Sequence, residues 1–541
     1  MKRTLQLFVV TLICTFCAPN FAHESNDDEL PAQLSEAALG SVNFTNSCSK
    51  SVKPLFNQGV ALLHSFWFAA AIKTFDEVLT EDPKCAMAEW GKAMANWGNP
   101  LGNNRAKTLL QAGFEAAARA RKLPTGDARE RDYIDAVAVL YDDFENTPDQ
   151  ARSVAFEKAM QGLMETYPGD TEAAIFYAMA LNGSADLNDK TYAQPLRAAK
   201  ILEAAFADQP NHPGIAHYII HSYDVPSLAK HALPAARQYA DIAPAAPHAL
   251  HMPSHTFTRL GHWQESIDTN IRSADAALAA DSPGEALHAI DYMIYAYLQT
   301  GQDVAAEAGV ARSEAVFKQI KTDDRYLVAG AYAAAAVPSR FALERGDWQA
   351  AKQIQPVTSP APFVDAIIHL AHGLGAARSK ELESSRLAIA GLKASEEKLA
   401  KNAYWMGQVA IQRTIVEAWL ALAENNPEQA LSTMRKAVEL EHSTEKSAIS
   451  PGPLVAANEQ LGEMLLELNQ PVEALRSFRA AIAKEPGRFR GLYGAANAAD
   501  AAGLKPAAKG YFAELVNSCA NADADRPELI EARSYLQNAI N

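Results

Sequence analysis

Residues 56–83 read FNQGVALLHSFWFAAAIKTFDEVLTEDP. A small residue, Gly59, is followed twelve positions on by a second, Ala71, then by Phe75 and then by Pro83. Two packed helices call for this order: small side chains where the backbones approach, a bulky ring to fill the remaining gap, and a residue that stops the second helix. The same offsets return far along the chain, where Gly462 is followed by Ala474, Phe478, Ala481 and Pro486, and the next unit runs Ala496, Ala508, Phe512. Between these ends Ile220, Ala232 and Pro244 keep the spacing, and Ser254 and Ser266 continue it. The spacing predicts an all-α chain built from one helix pair repeated many times.

Composition agrees. The chain has 541 residues, 48% of them apolar, which is ample for a large core and too much for one small domain. Alanine-rich stretches such as 331–336 and 495–502 favour helix, and Val/Ile/Thr alternation is scarce, so little or no sheet is expected. The pattern degenerates over 96–150 and 380–425, where it predicts long helices with irregular joins. Roughly ten helix pairs fit between residues 50 and 541.

The offsets resemble the consensus of the tetratricopeptide repeat (TPR) family, with its small, small, aromatic and proline positions in a unit of about 34 residues. The texture is also similar to a group of exported bacterial TPR proteins of poorly defined function. The stretches that carry this are FNQGVALLHSFW, HPGIAHYIIHSYD, HALHMPSHTFTRLGHW, FALERGDW, SPGPLVAANEQLGEMLLE and RFRGLYGAANAADAAG. The resemblance implies a solenoid wound as a right-handed superhelix, its concave groove lined by the first helix of each pair.

The N-terminus has the plan of a secretory leader. Lys2 and Arg3 are basic, 5–17 are apolar, and Ala22 suits a cleavage site, so the mature chain is expected to begin at His23 and to be periplasmic or secreted. Ile13 before Cys14 and Phe16 before Cys17 argue against lipoprotein processing; a retained N-terminal anchor is the alternative. Loss of Lys2 and Arg3 takes the net charge from −15 to −17, which disfavours nucleic acid and anionic membranes and suits metal cations or basic ligands. Of the three cysteines left, Cys48 precedes the first helix pair and Cys85 the second, so the two are expected to form a disulfide and leave Cys519 over; three buried thiols is the alternative. The expected order is a leader over 1–22, a loose polar arm over 23–47, an N-terminal and central solenoid over 48–385, and a C-terminal solenoid over 386–541.

Histidines supply the functional signal. Nine of the fourteen lie between His212 and His288: His212, His217, His221, His231, His248, His251, His255, His262 and His288. His217/His221 and His251/His255 are i, i+4 pairs, each on one helix face. The second pair follows the first by one full repeat, so each brackets a helix-contact residue, Ile220 or Ser254, at equivalent places on neighbouring first helices. By the TPR resemblance these places face the groove. After a six-residue insertion Asp291 and Tyr295 take the equivalent places, with His288 one turn earlier. Asp224 and Arg259 each follow a pair by about a turn. Glu459 and Glu463 bracket Gly462 in the same way, whereas the repeat between has Ala336 and Arg340 there.

Neutral imidazoles beside a carboxylate suit zinc, iron, copper or manganese, and paired ligands on adjacent helices are how bundle metal sites are made. His217, His221, His251, His255 and Asp291 are therefore the candidate metal ligands, with Asp224, Arg259, His288, Tyr295, Glu459 and Glu463 as candidate ligand-binding residues. The alternative is a TPR scaffold of the cell envelope that binds a protein or peptide in its groove, without catalysis. Glu459/Glu463 also fit a plain solvated face, Arg488 and Arg490 plain exposed arginines, His369 and His372 packed or surface residues, and Trp67, Trp90, Trp97, Trp263 and Trp348 core. No phosphate loop, G-x-S-x-G, H-E-x-x-H or C-x-x-C is present, so the sequence names no reaction.

Overall fold

The computed structural model describes residues 34–538 apart from 103, 104, 187, 188, 323, 358 and 360. The leader over 1–22 and the first part of the arm lie outside the described residues. Residues 35–541 form one compact unit. Among the described residues there are helices and turns and no strand, and no helix is long and apolar enough to cross a membrane.

The repeat spacing works through one ring. Phe75, on helix Phe68–Glu81, is fully buried between Gly59 of helix Lys53–His64 and Gly91 of helix Ala86–Trp97. A Cβ at Gly59 would come within 2.7 Å of that ring, and one at Gly91 within 2.3 Å, so only glycine admits it. The arrangement recurs at the other end. Phe478, on helix Pro471–Lys484, is held between Gly462 and Gly494, where a Cβ would meet the ring at 2.7 and 2.2 Å. In these two units the second helix drives an aromatic ring between two consecutive first helices.

Two expectations change. No break separates the chain near residue 385: helix Leu382–Lys398 spans it and packs against helices Pro362–Arg378 and Ala403–Ala423. The described end of the arm is not loose either. Leu39, Val42 and Phe44 are buried, Ser41 N–H donates to the Asn211 carbonyl at 3.0 Å, and Phe44 sits among Phe56, Trp90 and Tyr133. Leu39, Val42 and Phe44 outweigh the charged residues of this polar-looking stretch because they are packed into the interior, Phe44 against four rings. Cys48 and Cys85 are joined in a disulfide, and Cys519 is a buried free thiol.

What positions the candidate site is a fold-back. Trp263 Nε1–H donates to the Gly487 carbonyl at 2.9 Å, Phe489 N–H to Gln299 Oε1 at 3.0 Å, and Arg526 Nη1–H to the Leu298 carbonyl at 3.2 Å. The irregular segment 443–456, between helices Pro427–His442 and Ala457–Glu467, lies against the central repeats. Tyr292 Oη–H bonds the Ala448 and Ser450 carbonyls at 2.8 and 3.1 Å, and Arg340 bonds Ser450 Oγ and the Pro453 carbonyl at 2.8 and 3.1 Å. The face that the repeat register presents as a groove is covered here.

Candidate metal centre

Helix Pro213–Ser222 carries His217 and His221. The next first helix, Pro247–His251 continuing as Pro253–Leu260, carries His248, His251 and His255. The one after, Pro283–Gln299, carries His288. These imidazoles form two clusters, His217/His221/His248 and His251/His255/His288, in each of which one ligand atom per residue lies within 4.8 Å of the others. The clusters adjoin. The His221 and His255 rings are 6.2 Å apart between centroids, as are those of His248 and His251. The four histidines paired by the sequence are thus brought together, joined by His248 and His288.

Outward nitrogens are anchored. His217 Nδ1–H donates to the His64 carbonyl at 2.6 Å, and His255 Nδ1–H to Asp224 Oδ2 at 3.0 Å. His251 Nδ1–H donates to Asn270 Oδ1 at 2.8 Å, and that amide is itself oriented by donating from Nδ2 to the Ser266 carbonyl at 2.7 Å. Inward nitrogens face each other: His217 and His221 through Nε2 at 3.0 Å, His251 and His255 through Nε2 at 3.1 Å. His248 Nε2 and His288 Nδ1 have no hydrogen-bond partner, while the Ile449 backbone bonds the His288 ring.

Electrostatics keep these rings neutral. Burial, reinforced by neighbouring imidazoles, holds His217, His248 and His251 well below the usual histidine range and pushes His221 and His288 down to about 3. Burial also lowers His255, against the pull of Asp224. Neutral His251 and His255 each spend their one N–H on an outer acceptor. The two Nε2 atoms then face one another across 3.1 Å, an arrangement that either a shared proton or a shared metal cation relieves.

The remaining candidates divide between the site and other parts of the interior. Asp291 is fully buried but bonded by Arg340 Nε at 2.7 Å, so it belongs to an internal ion pair rather than to the histidines. Asp224 joins the site as the acceptor for His255, and Arg259 braces it from Nε at 3.0 Å. Tyr295 and Glu459 surround Arg488, which bonds Tyr295 Oη at 2.6 Å, Glu459 at 2.8 Å and Glu344 at 2.7 Å. Glu463 pairs with Arg490 at 2.6 Å. Neither a solvated acidic face nor exposed arginines are found there: the fold-back buries Glu459 and Arg488 to 1% exposure, and burial forces such charges to pair. His372 Nε2–H bonds the Ile354 carbonyl at 2.8 Å, away from the site.

His248 and His288 escape a search for i, i+4 pairs, yet the sequence holds their signal. Each lies three positions before its repeat's first groove position, at His251 and at Asp291, and the two are separated by one repeat plus the insertion. A third cluster, His64, Glu172 and His212, had no spacing signal. Glu172 takes His64 Nε2 at 3.1 Å and His212 Nε2 at 2.9 Å on its two oxygens.

No family profile matches the chain, and no curated protein does. Among solved structures it is similar to the complex of Naa15 and Naa10 bound to HypK-THB, at 13% identity over 90% of this chain and 73% of that one, with a TM-score of 0.24. It is also similar to yeast Tom70, at 12% identity over 91% and 96%, with a TM-score of 0.29.

Proposed function

We propose that this chain is an exported TPR-like protein that binds a late first-row transition metal at the histidine locus. The observation that carries the proposal is the pair of opposed Nε2 lone pairs on His251 and His255, each fixed by an anchored Nδ1–H. Anchoring of this kind orients ligating imidazoles and raises their basicity. The Cys48–Cys85 disulfide and the leader-like sequence over 1–22 support export, because such bonds persist in oxidising compartments. A peptide laid along the central first helices would have to displace segment 443–456, which favours a metal or a small ligand over a peptide at this place.

A small cavity of about 70 Å³ lies next to the site. This cavity, lined by Arg259, Tyr332, Tyr404, Gln412, Glu445 and Lys446, is separated from His255 by the Asp224 carboxylate, which stands 3.7 Å from Lys446 Nζ. Lys446 Nζ, Gln412 Oε1 and Glu445 Oε2 all lack hydrogen-bond partners there.

Purifying untagged native protein and measuring metal per chain by mass spectrometry tests the proposal. Bound zinc or copper is expected, lost in H221A/H255A with helical content unchanged. Protein that neither carries nor takes up metal at neutral pH ends it.

A further inference from the structure

We infer that the two imidazole clusters are a pair of ion sites, His217/His221/His248 for one zinc or copper ion and His251/His255/His288 for a second, which together make one dinuclear centre. This rests on the metal-binding reading above.

The clusters are copies of one another under the repeat. His217 maps to His251 and His221 to His255 by one repeat, and His248 maps to His288 by one repeat plus the insertion. Each copy takes an i, i+4 pair from one first helix and its third imidazole from the following one. The local geometry is copied as well. The paired Nε2 atoms stand at 3.0 Å in one cluster and 3.1 Å in the other, and the third imidazole of each keeps a ring nitrogen without a partner, Nε2 of His248 and Nδ1 of His288.

One ion cannot serve all six rings. Metal–nitrogen bonds of about 2.0–2.1 Å gather nitrogens only to about 4 Å from one another at most, and zinc or copper rarely holds more than four imidazoles. At the two points where the clusters adjoin the ring centroids stand 6.2 Å apart, against 4.8 and 5.0 Å within the i, i+4 pairs. Three ligands per cluster leave each ion one open position. Donors that are all imidazole nitrogen, without carboxylate or thiolate, suit copper and zinc over magnesium, calcium or manganese.

The His64/Glu172/His212 cluster is not a third member. Both imidazoles there are bonded through Nε2 to the two oxygens of one carboxylate, although Nδ1 of His212 has no partner. Two divalent ions would bring four positive charges among neutral rings, and the nearest carboxylates are Asp224, already paired with Arg259 and Lys446, and Glu285, which stands 3.9 Å from His248. A small anion such as hydroxide in each of the two open positions would offset two of those charges.

The test uses the full chain, stripped with a chelator, reloaded with Zn(II) alone or Cu(II) alone and desalted. The expected result is two ions per chain, falling to one in H248A and one in H288A. Copper-loaded wild type should show a spin-coupled or dipolar-broadened resonance, and each variant the signal of one isolated Cu(II). One ion per chain in wild type, or two ions without magnetic interaction, overturns the pairing while leaving metal binding intact. No ion retained overturns both. Should a variant lose its helical circular dichroism, stoichiometry and spin coupling of the wild type decide.

Discussion

Asp224 Oδ2 accepts the Nδ1–H of His255 at 3.0 Å and so turns Nε2 of that imidazole toward His251. The carboxylate is held ionised, well below its usual range despite burial, by Lys446, Arg259 and His255. Replacing it with an amide, D224N, removes the charge and relaxes the tautomer while keeping the shape. Metal affinity should fall about 10- to 100-fold. Competition with a chromophoric chelator measures this, and an unchanged affinity would show that Asp224 does not orient the ligand.

Metal-free protein should lose stability as pH falls below neutrality. In the unfolded chain the histidines protonate near pH 6.5, whereas in the folded chain His221 and His288 stay neutral down to about 3. The unfolded state therefore binds more protons throughout that window. Stability is complete above pH 6.5 and declines below it, by up to about 1.4 kcal/mol per pH unit for each such ring. Melting temperatures of the stripped protein from pH 7.5 to 5 report the slope. A midpoint that rises on acidification would contradict the burial of these rings.

The Arg488 cluster should be structural and independent of metal. Removing the guanidinium in R488M strands Glu459 and Glu344 in the interior, at a cost of about 3–5 kcal/mol. R488M/E459M should recover part of the loss. Urea midpoints give both values, and metal per folded chain should match wild type. Metal loss in R488M at full helical content would place this cluster in the site.

Thiol labelling of unreduced, unfolded protein should find Cys519 and neither Cys48 nor Cys85. The disulfide spans 37 residues, so C48S/C85S should be destabilised by about 3–4 kcal/mol in the chain-entropy view. Three labelled cysteines would refute the bridge.

Local order was legible because it depends on local geometry. A helix returns every 3.6 residues, so i, i+4 histidines must share a face, and a strict repeat must bring His217/His221 beside His251/His255. The same register holds His248 and His288, which a search confined to i, i+4 pairs passes over. Partner choice over long separations was not legible. Asp291 occupies the position equivalent to His251, but Arg340, 49 residues on, takes its carboxylate. Arg488 lies 193 residues from Tyr295 and 144 from Glu344, yet bonds both. The sequence by itself determined the helix pairs, their period and the faces that carry imidazole. Only the tertiary structure decided that segment 443–456 covers those faces and that the carboxylates divide between arginines and histidines. Burial makes every charge find a partner, and which partner is within reach depends on how distant repeats fold back on one another.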